Sequence, residues 1–174
     1  MKVVRPSLTS SERLQERLAA ARLAVPDQWH FLTEAVIEGA EEVHATLGPG
    51  LSRESYAAAL RHELALRGLA VEAGREIERW YKGVELPRQR LELVVNGLVA
   101  VELASADTDV QLGLARLGAQ LFAADAPIGL LINFDAGLLR NGVYRRLNAE
   151  ATAARALPPA SEAIETDPLR TLRA

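Results

Sequence analysis

The chain has 174 residues, 49% hydrophobic and 25% charged, a mixture typical of one globular domain rather than of a disordered segment. Its formal net charge of -3 disfavours tight binding to duplex DNA, which usually requires a basic face. The absence of cysteine excludes disulfides and thiolate chemistry. We find neither a signal-peptide pattern nor an apolar run long enough to cross a bilayer, and therefore predict a cytoplasmic protein without a membrane partner.

The first half of the chain has helical periodicity. Residues 1–28 are predicted to form a helical extension that Pro26 ends, with an apolar stripe made of Leu14, Leu18, Ala21 and Val25. A helix over residues 31–47 has its own apolar face, and Gly48-Pro49-Gly50 stops it. Ser52 is a suitable N-cap for the next helix, over residues 53–67.

Downstream the hydrophobic period changes to two. Strands are predicted at Val71 and over residues 76–81, 90–95 and 98–104, with Asn96-Gly97 as a hairpin turn. Residues 109–124 return to a helical pattern, and the apolar run 128–134 suits a strand buried on both faces. Residues 149–174, rich in Ala, Pro and charge, are predicted to be a partly irregular tail. The order predicts an α/β (α+β) domain over residues 29–148, with one mixed sheet flanked by helices.

Several short strings occur in a defined order over residues 31–148. They are Leu32-Thr33-Glu34, Glu42-Val43-His44, Leu47-Gly48-Pro49-Gly50-Leu51 with Tyr56, Tyr81-Lys82-Gly83, and Gly129-Leu130-Leu131-Ile132-Asn133-Phe134. This set resembles the GxxExxY family, a branch of the PD-(D/E)XK nuclease-like proteins. The resemblance implies a restriction-endonuclease-like αβββαβ core.

The resemblance also implies where a nuclease site would lie. Family members are regarded as having an Asp at the end of one strand, Glu-x-Lys on the next, and a helical Gln/Tyr pair. Two carboxylates would hold Mg²⁺, which prefers oxygen ligands, and the ion would polarise the phosphate and activate a water. In this chain Glu92 stands at the Asp position, Glu102 at the glutamate, and Ala104 at the lysine.

The remaining family positions are altered as well. Arg53 stands where the naming motif has its glutamate, Arg116 stands at the helical Gln, and Gln120 at the helical Tyr. Arg116 is the best candidate to replace the missing lysine and Arg90 the second, although a surface salt bridge is the simpler explanation of either arginine. Arginine clamps phosphate but is a poor general base, because it stays protonated.

The strand register decides whether the two acids meet. A two-residue Asn96-Gly97 turn would put Glu92 and Glu102 on opposite faces, whereas a three-residue loop over 96–98 would place them opposite one another on the same face. Both registers remain open from the sequence. Glu42 on the first long helix is a candidate third metal ligand, and an ordinary surface glutamate is the alternative.

Preserved scaffold strings beside altered chemical positions predict a nuclease-like domain with lost or weakened catalysis. We expect it to bind a protein partner or itself, without a cofactor. The first alternative is an active Mg²⁺-dependent endonuclease, with Glu92, Glu102 and Glu42 as ligands and Arg116 in the lysine's place. The second is a nucleic-acid-binding module that uses the strand cations beside Trp80 and Tyr81, namely Arg75, Arg79, Lys82, Arg88 and Arg90.

Overall fold

The structure is a computed structural model that describes residues 26–105 and 107–156, with side chains described as far as Thr152. The elements follow in the order α1 (Asp27–Leu47), α2 (Arg53–Leu66), β1 (Val71–Ile77), β2 (Trp80–Tyr81), β3 (Val84–Glu85), β4 (Gln89–Val95), β5 (Val99–Ala104), α3 (Val110–Ala123), β6 (Ile128–Asn133), a 3₁₀ turn (Leu139–Gly142), β7 (Val143–Leu147) and α4 (Ala149–Ala156). The predicted N-terminal helix lies outside the described residues.

Five strands form one mixed sheet in the order β1-β4-β5-β6-β7. Strands β5 and β6 are parallel and are joined through α3, while the other neighbouring pairs are antiparallel. Strands β2 and β3 pair only with each other in the described part of the chain, as a short hairpin that we call the arm (residues 80–85). The predicted α+β architecture, a mixed sheet flanked by helices, is therefore confirmed.

Each face of the sheet carries its own apolar cluster, because successive strand residues point to opposite faces. Helices α1 and α2 contribute Val36, Leu60 and other side chains to one cluster, which also contains Val99 and Val101 of β5. Helix α3 contributes Leu117 and Leu121 to the other cluster, with Ala100 of β5. Strand β5 is thus covered on both faces and holds its residues rigidly between the two helical layers.

The loop between α1 and α2 sets the direction in which α2 leaves the core. Gly48 and Gly50 have φ angles of +69° and +97°, which favour glycine and explain why the helix stops here. The Oγ of Ser52 accepts a hydrogen bond from the Ser55 N–H at 3.2 Å, so the predicted N-cap is confirmed. Arg53 is consequently fixed as the first residue of α2.

The sequence patterns did not predict all of the elements. Strand β1 runs unbroken over residues 71–77, so Glu78 and Arg79 lie outside it, contrary to the predicted strand over 76–81. Strand β7 was not expected. Residues 149–156, which we assigned to the irregular tail, form α4, where Thr152 is buried and donates a hydrogen bond to the Asn148 carbonyl at 2.7 Å. No helix in the described ranges is long and apolar enough to span a membrane.

Candidate functional site

The β4–β5 register brings the two predicted acids to the same level of the sheet. Leu93 pairs with Val101 and Val95 with Val99, which leaves residues 96–98 as a three-residue loop. Of the two registers open from the sequence, this is the one that places Glu92 across from Glu102. Asn96 anchors the loop, because its Oδ1 accepts a hydrogen bond of 2.8 Å from the Ala70 N–H.

Regular backbone pairing between β4 and β5 ends at Leu93 and Val101. At Glu92 and Glu102 the carboxylates accept hydrogen bonds from backbone N–H groups instead. The Glu92 N–H donates to Oε1 of Glu102 at 3.0 Å, and the Leu103 N–H donates to Oε2 of Glu92 at 3.0 Å. On the other neighbour of β4, Gly74 has a φ angle of +66° between the paired residues Ala73 and Arg75. The backbone is therefore distorted on both sides of Glu92.

Arg53 binds both acids at once. Its Nε donates to Oε1 and Oε2 of Glu92 at 3.1 and 2.9 Å, and its Nη2 donates to Oε2 of Glu102 at 3.0 Å. The side chains of Glu92 and Glu102 are only 16% and 11% exposed, whereas that of Arg53 is 48% exposed. The guanidinium therefore forms the solvent side of a cluster in which the carboxylates form the floor.

The position of Arg53 is unfavourable for the helix that carries it. The N-terminus of a helix bears a partial positive charge, so a cation in the first turn costs about 0.3–1 kcal/mol. Arg53 is the first residue of α2 and lies at that end. Its two ion pairs with Glu92 and Glu102 offset this cost, so the acids and not the helix account for an arginine here.

The electrostatic balance of the cluster differs between its members. Burial raises the pKa of the Glu102 carboxyl above its ordinary value, and the neighbouring Glu92 carboxylate raises it further. The hydrogen bond from the Glu92 N–H and the charge of Arg53 act in the opposite direction without cancelling the effect of burial. Arg53 is therefore the group that makes two nearly buried carboxylates tolerable side by side.

The other predicted site residues make no hydrogen bond or ion pair with these two acids in the described part of the chain. Arg116 is exposed on α3, and within the described ranges it forms no hydrogen bond or ion pair with either acid. Glu42 is exposed on α1 and lines a groove of about 180 Å³ with His62 and Glu63. The structure brings Glu92 and Glu102 together, and within the described ranges no hydrogen bond or ion pair links Glu42 or Arg116 to them. The catalytic and metal-binding roles of all four stay predictions.

Neither Ala104, at the lysine position, nor Arg90, the second candidate cation, supplies a positive charge to the acid pair. Ala104 ends β5 and packs against the cluster under α3. Arg90 donates through Nη2 to Oε1 of Glu76 at 3.1 Å, so it is engaged at the surface of the sheet. Arg53, the cation that does reach the acids, was treated in the sequence as a lost glutamate. The signal that could have identified Arg53 is its position in the motif that the sequence resembles, since the resemblance places that position beside the two acids.

A divalent ion does not fit this arrangement as it stands. Mg²⁺ requires near-octahedral oxygen ligands, and both oxygens of Glu92 and of Glu102 already accept hydrogen bonds from Arg53 or from backbone N–H groups. Among residues 26–105 and 107–156, no three His, Cys, Asp or Glu side chains gather closely enough to hold a metal. The cluster present is a guanidinium site.

Comparison with known proteins agrees with the fold. A family model described as the PD-(D/E)XK nuclease superfamily matches residues 30–146. The match starts within α1, ends within β7, and includes Arg53, Glu92 and Glu102. Searches of curated proteins and of solved structures gave no match.

Proposed function

Because the chain belongs to the PD-(D/E)XK nuclease superfamily, we propose that it keeps the nuclease fold with lost or weakened catalysis and works as a protein-binding or self-associating module. The strings around Gly48 and Tyr56 support a place in the GxxExxY branch of that superfamily. The observation that carries the proposal is the set of hydrogen bonds from Arg53 to Glu92 and Glu102.

The loss of catalysis follows from what a guanidinium lacks. A metal ion in a hydrolytic centre polarises the phosphate and lowers the pKa of a bound water. Arg53 has no open ligand position and is effectively never deprotonated, so it supplies neither effect. At the end of β5, Ala104 offers no ammonium group to place the attacking water. Two acids without an ion or a lysine do not make a phosphodiesterase.

The test is a cleavage assay on single- and double-stranded DNA and RNA with Mg²⁺ or Mn²⁺. We expect no cleavage above that of a Glu102→Ala variant purified in the same way. Robust cutting by the wild type that disappears in Glu102→Ala would reject the proposal and favour the active endonuclease. The comparison is decisive because any contaminating nuclease acts equally in both preparations.

The arm supports the protein-binding part of the proposal. Trp80, Tyr81 and Val84 have 62%, 60% and 63% of their surfaces exposed. Tyr81 pairs with Val84 and Trp80 with Glu85, so apolar side chains occupy both faces of the arm. Tryptophan and tyrosine are enriched among the residues that dominate binding energy at protein interfaces. The arm is therefore the surface on which we expect association.

Self-association can be measured by sedimentation velocity over a range of concentrations. We expect the wild type to form a larger species that a Trp80→Ser, Tyr81→Ser double variant does not form. Phe122→Ser is the matched control, because Phe122 is 67% exposed and belongs to α3, not to the arm. Identical sedimentation of the wild type and the double variant at every concentration would reject the arm as the self-association surface.

The nucleic-acid alternative has less support, because three of the strand arginines, Arg75, Arg88 and Arg90, form ion pairs within the chain. Arg88 forms ion pairs with Glu76, Glu78 and Glu85 at 3.0, 3.3 and 3.2 Å. Arg90 shares Glu76 with it at 3.1 Å. A nucleic-acid phosphate would have to displace these glutamates from Arg88 and Arg90 before it could bind either arginine.

A further inference from the structure

We infer that Arg53 stands in for the divalent ion: its guanidinium is a built-in cation that occupies the place between Glu92 and Glu102 and closes it to metal. This inference rests on the proposed loss of catalysis and adds a physical cause for it. The acid pair is a cation site whose cation belongs to the chain itself.

The first support is the contact pattern. The guanidinium reaches three of the four carboxylate oxygens, from 2.9 to 3.1 Å, and joins two strands that have stopped pairing through their backbones. Bridging two carboxylates from neighbouring strands is the geometric task of a shared metal ion. In this chain the planar guanidinium of Arg53 bridges the two carboxylates through hydrogen bonds, without a metal.

The second support is charge. Glu92 and Glu102 bring two negative charges into a cluster in which both side chains are largely removed from water. Without a cation this arrangement is costly, because like charges repel strongly where solvent screening is weak. Arg53 supplies one positive charge from the rim. A carboxylate at position 53 would instead put three negative charges at the site of Glu92 and Glu102, and a multivalent cation would be needed to balance them.

The third support is that local structure alone gives no reason for the arginine. The helix end disfavours a cation, and the loop geometry before α2 is set by Gly48, Gly50 and Ser52. By contrast, Arg67 near the end of α2 forms a within-helix pair with Glu63 at 2.7 Å, which is an ordinary role for a helical arginine. Arg53 makes its pairs across the fold, with strands β4 and β5.

The test exchanges the charge at position 53 in the full chain. Arg53→Glu places a third carboxylate beside the acid pair, and we expect it to bind Mn²⁺ in calorimetry as one site and to unfold at a higher temperature with Mn²⁺ than with chelator. The wild type should show neither effect. Arg61→Glu is the matched control, since Arg61 is exposed on the same helix and touches neither acid. Adding Glu102→Gln to Arg53→Glu should abolish the binding.

A folded Arg53→Glu variant that binds no Mn²⁺, or a wild type that binds it as tightly as the variant, would overturn the inference. If Arg53→Glu does not fold, Arg53→Ala provides the same test without adding a charge. We expect its unfolding temperature to be lowered and then partly restored by Mn²⁺ or by low-millimolar guanidinium, which refills the site. Restoration by neither cation would also overturn the inference.

The outcomes separate this inference from the proposed function. Cleavage by the wild type that depends on Glu102 would reject the loss of catalysis, whatever metal the variants bind. An inert wild type together with a folded Arg53→Glu variant that ignores Mn²⁺ would leave the loss of catalysis standing and reject only the substitution of the ion by Arg53.

Discussion

The hydroxyl of Tyr56 donates a 2.6 Å hydrogen bond to the carbonyl oxygen of Gly48, and the same hydroxyl oxygen accepts the Leu51 N–H at 3.1 Å. The Tyr56 ring stacks on Phe134 with centroids 4.5 Å apart and an angle of 9° between the planes. Tyr56 thereby ties the loop before α2 to the end of β6. Because Arg53 follows directly on this loop, the tyrosine helps to position the guanidinium over the acids.

Tyr56→Phe should destabilise the protein by about 1–2 kcal/mol, because it removes both loop hydrogen bonds while leaving the stacked ring in place. Urea unfolding followed by circular dichroism measures the loss. Tyr81→Phe is the control and should change stability by less than about 0.5 kcal/mol, since Tyr81 is exposed on the arm. Equal effects of the two substitutions would contradict the role assigned to the Tyr56 hydroxyl.

Gly74 adopts a φ angle of +66° within β1, beside the distorted segment that carries Glu92. A side chain there would meet open space, so any cost of Gly74→Ala comes from the backbone conformation alone. We expect a loss of about 1–2 kcal/mol in the free energy of unfolding. Gly137→Ala is the matched control, because Gly137 also faces open space and has no positive φ. It should be neutral or slightly stabilising.

Stability should respond to pH through Glu102. Its pKa is raised above the ordinary 4.5 in the folded protein, mainly by burial, so the folded state binds this proton more tightly than the unfolded state does. The stabilising contribution is then complete below the unfolded pKa and is lost as pH rises through the folded pKa. Relative to the wild type, Glu102→Gln should therefore gain free energy of unfolding as pH rises from about 4.5 towards neutrality.

Chemical denaturation of both proteins at a series of pH values checks this sign. The difference between the two proteins is the quantity to follow, because other carboxyls with lowered pKa, such as those of Glu72 and Glu76, act in the opposite direction in both. A difference that stays constant with pH, or that falls as pH rises, would show that burial does not control the Glu102 carboxyl.

Arg53 and Glu102 should be energetically coupled. Arg53→Ala leaves two carboxylates together without their cation, and we expect a loss of about 1–2 kcal/mol, moderated by the half-exposed position of the arginine. In a Glu102→Gln background the same substitution should cost less, because the repulsion it uncovers is smaller. A double-mutant cycle measures the coupling, for which contacting residues typically give about 0.5–3 kcal/mol. Additive effects would contradict the proposed cluster.

The sequence predicted the helices α1, α2 and α3 and the central strands well, because their apolar periodicity is strong. It left the β4–β5 register open, since Asn96-Gly97 suits a two-residue turn as well as the observed loop over 96–98. The choice depends on a long-range contact, the Asn96 side chain binding the Ala70 N–H, which no local pattern encodes. One residue of register decides whether the two acids meet.

The missed features also depend on tertiary structure. Strand β7 reads Val143-Tyr144-Arg145-Arg146-Leu147 and lacks an alternating pattern, because it lies at the edge of the sheet with two exposed arginines in its middle. The sequence pattern identifies Arg53 only as the loss of a glutamate, and it points to Arg116 and Arg90 as replacements for the lysine that is missing at Ala104. A residue at a site position still points into the site after its charge has changed, which is why Arg53 reaches Glu92 and Glu102.

The most direct test of the central claim is anomalous diffraction from crystals of the full chain soaked in Mn²⁺. If the Arg53 side chain holds the acid pair, no manganese peak will lie between Glu92 and Glu102, and the Nε of Arg53 will remain about 3 Å from the Glu92 carboxylate, as expected for a charge-assisted hydrogen bond. A fully liganded ion between these carboxylates, with the arginine displaced, would contradict the account.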